Sequence, residues 1–98
     1  MEILENIKNN PYGIKDSYHS IERSRDRSIN LDTIYEKISD ELPVGIEKEK
    51  NSSSTFLIIY EYNDLKDLAI GIDILNEEEI KILTVIYKSA NRRKHYGN

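Results

Sequence analysis

Cysteine is absent from this chain, which removes both a disulfide framework and a thiolate metal site and points to a reducing, intracellular compartment. Histidine is scarce as well. His19 and His95 are the only two, too few for a histidine-rich zinc centre, and no metal or cofactor is implied. Proline is equally rare, and Pro11 and Pro43 act as punctuation between segments. No apolar run approaches the roughly 18 residues that a membrane span needs, and the opening MEILENIKNN lacks the basic start and long apolar stretch of a secretory leader. The expected location is therefore the cytoplasm, with no membrane partner. Internal repeats, low-complexity tracts and linkers are missing too. The 98 residues read as one domain (1–98), because two independent cores cannot be built from so few.

What is present suits a folded protein. Hydrophobic residues make up 38% and charged residues 33%, and sixteen isoleucines supply material for a compact core. The net charge of −4 argues against nonspecific coating of nucleic acid, which calls for an overall basic excess. The distribution of positive charge is more informative than its sum. All five arginines fall in two short segments, Arg23, Arg25 and Arg27 in one and Arg92 and Arg93 in the other, and both histidines lie in the same two segments. A guanidinium is a planar fork that grips carboxylate or phosphate through two parallel hydrogen bonds, whereas lysine is a hydrated point charge.

The hydrophobic periods predict an α+β fold, with two N-terminal helices followed by an antiparallel meander sheet of three to four strands. Residues 1–12 form either a short helix or an arm, with Ile3, Leu4 and Ile7 at helical spacing before NNPYG. A helical pair spans 14–42. Its first helix runs from about Ile14 to Arg27 with Ile14, Tyr18 and Ile21 as a narrow apolar stripe. Its second starts at Asn30 as N-cap, keeps Leu31, Ile34, Ile38 and Leu42 on one face, and ends at Pro43. From residue 43 to 88 the period becomes two, and the polar breaks NSSS, ND and NEEE separate short strands suited to antiparallel neighbours. TFLIIY and ILTVIY are apolar on both faces, yet two helices cover only one side of a sheet. The N-terminal segment, the C-terminal tail or a second subunit is expected on the other, which makes a homodimer or a protein partner an expectation.

On a helix, His19, Arg23 and Arg27 stand at i, i+4 and i+8 on one face, away from the apolar stripe. Arg23 then faces Arg27 and Glu22 faces Asp26, like-charge pairs that each cost about 0.2–0.5 kcal/mol. Pairs at i+3, Glu22 with Arg25 and Arg23 with Asp26, offset part of that cost. A face built only for solubility would place opposite signs four apart. Two readings follow, a phosphate-facing surface and a salt-bridged one.

The run HSIERSRDRSI resembles the opening motif of the domain of unknown function 4258 family, and IKILTVIY, residues 80–87, resembles that family's last-strand signature. The likeness covers about residues 14–88. Many relatives carry glycine where this chain has Ser28. The resemblance implies a fold shared with RelE-like and barnase-like ribonuclease toxins, and with it a metal-independent endoribonuclease, or a relative that kept the fold and lost the chemistry. It carries over to His19, Arg23, Arg27 and Thr84. Metal-free RNA cleavage needs a base, an acid and cations around a phosphorane-like transition state. His19 would be base or acid, Arg23 and Arg27 would hold the phosphate, and Thr84 would donate a hydrogen bond to it.

The tail, residues 89–98, carries Arg92, Arg93 and Lys94 with no acidic residue. With Arg25 these form a second set of expected phosphate or RNA contacts, and Tyr96 is available for stacking; a solvated terminus is the alternative. Tyr87 and His95 are further acid–base candidates. The competing functions are a small toxin-type endoribonuclease acting on RNA, a non-catalytic module that binds nucleic acid or protein through the same face, and an oligomer whose arginines pair with a neighbour's acids. An antitoxin-like acidic partner would cover the arginine face.

Overall fold

The computed structural model describes residues 2–89, the side chains of Pro11, His19 and Ser20 excepted. Helix α1 spans Glu2–Asn9, with Glu2 and Glu5 in its first turn and Lys8 in its last, charges that complement the helix dipole. Ile3, Leu4 and Ile7 are its buried stripe, so the N-terminal segment is a packed helix. A 3₁₀ turn over Pro11–Gly13 then feeds a two-residue strand, β1, Ile14–Lys15.

Strand β1 corrects the expected helix boundary. Ile14 and Lys15 pair in parallel with Ile80 and Lys81 of the last strand, and the helix begins only at Tyr18. Gly13 permits this pairing, because a Cβ there would collide with the Glu78 carbonyl oxygen and with Ile7 Cδ1. Bare backbone therefore lies against the turn before the last strand. The predicted stripe dissolves accordingly: Ile14 is buried in the sheet, and Tyr18 is 73% exposed.

Helix α2 covers Tyr18–Asp26 and helix α3 covers Leu31–Asp40. Between them Ser28 adopts φ 55°. The Ile29 N–H donates to the Ser24 carbonyl at 2.8 Å and the Ser28 N–H to that of Arg25 at 3.2 Å. This is the Schellman arrangement, with Ser28 in the left-handed position where glycine is usual and Ile29 turned into the core. Asn30 caps α3 as expected, its Oδ1 accepting the Asp32 N–H at 2.8 Å. The helix stops short of the expected Leu42, however. The Glu41 N–H closes the last turn on the Lys37 carbonyl at 3.1 Å, and Leu42 lies 77% exposed beyond it.

The remaining strands are β2 Gly45–Lys48, β3 Thr55–Glu61, β4 Lys66–Ile74 and β5 Ile80–Ser89. They form the expected antiparallel meander, β2-β3-β4-β5, and β1 adds a parallel strand on the far side of β5. Among the described residues the architecture is thus α+β with three α-helices and a five-stranded mixed sheet: the segment 1–12, expected as a helix or an arm, supplies the first helix, and the sheet is mixed where an antiparallel meander of three to four strands was expected.

A bulge interrupts β5. Ile82 lies opposite Ile72 and Thr84 opposite Gly71, so Leu83 and Thr84 together face one β4 residue. The phase of the alternation shifts there. Ile80 and Ile82 before the bulge, and Val85 and Tyr87 after it, all reach one core with α1 and α3. The same core takes Ile58 and Tyr60 from β3 and Leu68, Ile70 and Ile72 from β4. The opposite face carries Leu57, Ile59, Ala69 and Gly71, by alternation from those residues. α1 shares the core of α3, so it does not cap that second face. Among the described residues no helix is long and apolar enough to cross a membrane.

Candidate functional site

α2 packs against β5, along the stretch past Lys81 where β1 no longer pairs with it. The Schellman ending fixes the last residues of α2, and Arg27 emerges there towards the strand. Its Nη1 donates a short hydrogen bond to the Val85 carbonyl and a longer one, 3.4 Å, to Thr84 Oγ1. A hydroxyl that accepts from a guanidinium keeps its own proton for another acceptor. Thr84 is therefore oriented as a donor. Gly71 helps to hold it, because a Cβ there would come within 2.8 Å of Thr84 Cγ2; the missing side chain leaves room for the threonine methyl.

Arg23, one turn before Arg27, lies with Ser17, Lys81, Leu83 and Thr84 around an open cleft of about 480 Å³. No carboxylate lines it among the described residues. Arg23 and Arg25 make no ion pair among those residues either; the ion pairs there are Lys15 with Glu79 and Lys37 with Glu41. The cleft thus presents two cations and a hydroxyl donor to solvent, a donor set for an anion.

Of the residues singled out in the sequence, the fold gathers Arg23, Arg27 and Thr84. His19 belongs to the first turn of α2, and its side chain lies outside the described residues. Arg25 is exposed and stands about 200° round the helix from Arg23, away from the cleft. Arg92, Arg93, Lys94, His95 and Tyr96 lie outside the described residues. Tyr87 packs against the core, edge-on to Tyr62 with ring centroids 5.0 Å apart and Lys66 Nζ 5.2 Å above its ring. Burial, then Tyr62, pushes its hydroxyl up to about 12.

Lys81 is the cleft residue that sequence reasoning missed. It lies three residues before Thr84, a spacing that sets two side chains on opposite faces of a regular strand. The bulge at Leu83 reverses that and brings both to one face. No group of three or more histidine, aspartate or glutamate side chains capable of holding a metal ion occurs among the described residues. Comparison with protein-family models, with curated proteins and with solved structures returns no match to this chain.

Proposed function

We propose that the α2–β5 cleft binds a phosphate of RNA and that the protein is a small metal-independent endoribonuclease of toxin type, as its likeness to the domain of unknown function 4258 family implies. The observation that carries this reading is convergence. Arg23 and Thr84, far apart in the chain, line one cleft with Lys81, and Arg27 reaches Thr84 from the end of the same helix. In this reading Arg23 and Lys81 neutralise the phosphate, and the Thr84 hydroxyl donates a hydrogen bond to a non-bridging oxygen. The RNA 2′-oxygen forms a bond to phosphorus while the bond to the 5′-oxygen breaks. A base takes the 2′-hydroxyl proton and an acid protonates the departing 5′-oxygen, leaving a 2′,3′-cyclic phosphate and a 5′-hydroxyl. His19 is assigned one of those two proton transfers.

One observation favours the second reading, a non-catalytic RNA-binding module. The Arg27 guanidinium donates to a main-chain carbonyl, so part of the expected phosphate grip serves the fold. Incubation of end-labelled RNA in excess EDTA with the protein, His19→Ala and Arg23→Ala separates the two. Cleavage lost in both variants supports the ribonuclease. RNA that stays intact but binds with a steep salt dependence, weakened in Arg23→Ala, supports the module.

A further inference from the structure

The second face of the sheet is most deeply buried at the end where β5 runs out. Pairing sets its side chains there in two rows, Glu61, Asp67 and Lys88 abreast, then Ile59, Ala69 and Ile86. Ile59 and Asp67 are 1% exposed and Ala69 0%. An isoleucine on an open sheet face keeps part of its surface in water, so this patch is covered. Further along the same face burial lessens, with Leu57 and Thr84 half-buried and Lys81 exposed. α1 and α3 share the core on the other face, and α2 packs against β5. The β3 and β4 part of the patch is thus left to another cover.

We infer that the C-terminal segment, residues 90–98, docks on this patch, with the Asp67 carboxylate anchoring a cation of the run Arg92, Arg93 and Lys94. Place, reach and charge all favour this occupant. β5 ends at Ser89, opposite Lys66, so residue 90 begins beside the row of Asp67. The nine residues that follow span up to about 30 Å when extended, whereas the width from β5 to β2 is about 14 Å. The segment carries Arg92, Arg93 and Lys94 and no acid. The row nearest its start sets two carboxylates, Glu61 and Asp67, against one lysine, so a basic segment complements it. A carboxylate as deeply buried as Asp67 is costly unless cations and hydrogen-bond donors meet it, and a guanidinium supplies both.

This inference stands apart from the RNA reading. It turns the cations of the tail towards the sheet of their own chain, in place of the RNA contacts or the solvated terminus that the sequence suggested. RNA affinity then rests on the α2–β5 cleft.

The test uses the full chain and two readouts. The first is limited trypsin digestion under native conditions. Cleavage after Arg92 and Arg93 should be at least about tenfold slower than in a free peptide of residues 88–98, while Lys50, in the exposed β2–β3 connection, reports general access of the protease. Asp67→Asn should bring the two rates together. Tail cleavage at the peptide rate in the parent protein overturns the docking, and full protection in a folded Asp67→Asn protein overturns the anchor. The second readout serves even if Asp67→Asn does not fold. The chain has no cysteine, so Asn98→Cys takes a single nitroxide label, and methyl signals are followed by nuclear magnetic resonance. Broadening should be stronger at Ile59 and Ala69 than at Ile34 and Ile38 of α3, on the other face. Equal broadening on the two faces overturns the proposal. Broadening of Ile59 and Ala69 only when nitroxide-labelled and methyl-labelled chains are mixed assigns the patch to a second copy and overturns it too.

Discussion

Replacing Ser28 by glycine should stabilise the protein. Ser28 holds φ 55° at the residue after the α2 C-cap, and a non-glycine residue in that left-handed region carries a penalty of about 1–2 kcal/mol from its Cβ. Glycine removes the penalty and adds freedom to the unfolded chain, which returns about 0.5–1 kcal/mol. The net expected gain is about 0.5–1 kcal/mol. For a domain of this length that corresponds to a rise of roughly 4 °C in Tm, measurable by thermal and urea denaturation followed by circular dichroism, with an unchanged urea m-value. Ser28→Val supplies the opposite arm, since a β-branched side chain is worse in the same conformation and should lower Tm. Both Schellman hydrogen bonds are main-chain bonds, so Arg27 keeps its place and RNA binding should be unaffected by the glycine. A Ser28→Gly protein no more stable than its parent would refute the left-handed turn and, with it, the positioning of Arg27.

Gly13→Ala should destabilise by about 1–3 kcal/mol, because its Cβ meets the main-chain carbonyl of Glu78, which has little room to yield; unchanged urea stability would argue against the β1–β5 pairing. Tyr60 is fully buried, and its hydroxyl finds no hydrogen-bond partner among the described residues. Tyr60→Phe should therefore be neutral or stabilise by about 1 kcal/mol, and a loss in urea denaturation would show that the hydroxyl is satisfied. Tyr35 and Tyr87 are both pushed from 10.0 up to about 12, chiefly by burial, with Asp16 adding to the first and Tyr62 to the second. A phenol that keeps its proton longer when folded contributes stability that is whole below the unfolded value and lost as pH rises through the folded one. Stability should thus fall between about pH 10 and 12, less steeply in Tyr35→Phe, and parallel alkaline denaturation of the two proteins would refute this.

Local signals in the chain were reliable where the physics is local. The Asn30 cap, the helical stripe of Ile34 and Ile38, and the polar breaks between β2, β3, β4 and β5 each depend on neighbours a few residues away, and each reads correctly. Strand β1 depends instead on a close approach between Gly13 and Glu78, which no periodicity announces. Tyr18 and Leu42 misled for a related reason. Each extends an apolar spacing past the point where a cap or a strand pairing ends the helix. The doubly apolar look of ILTVIY, taken to mean burial on both sides, arises in part from the bulge, which shifts Val85 and Tyr87 into phase with Ile80 and Ile82. That same shift hid Lys81 from the predicted set, of which the fold brings Arg23, Arg27 and Thr84 close together.

The hydrogen bond from Arg27 to the Val85 carbonyl also bears on self-association. A strand flank that no neighbour pairs with offers its main-chain groups to any other extended chain, and natural sheets blunt such flanks with cations, irregularities or a covering helix. β5 has all three: the guanidinium on its carbonyl, the bulge beside it and α2 alongside. At the other margin β2 is only four residues long and carries Glu47 and Lys48. Among the described residues strand-to-strand growth of copies into a continuous sheet is discouraged at both margins, and Arg27→Ala would remove one of the three devices that guard the longer of them.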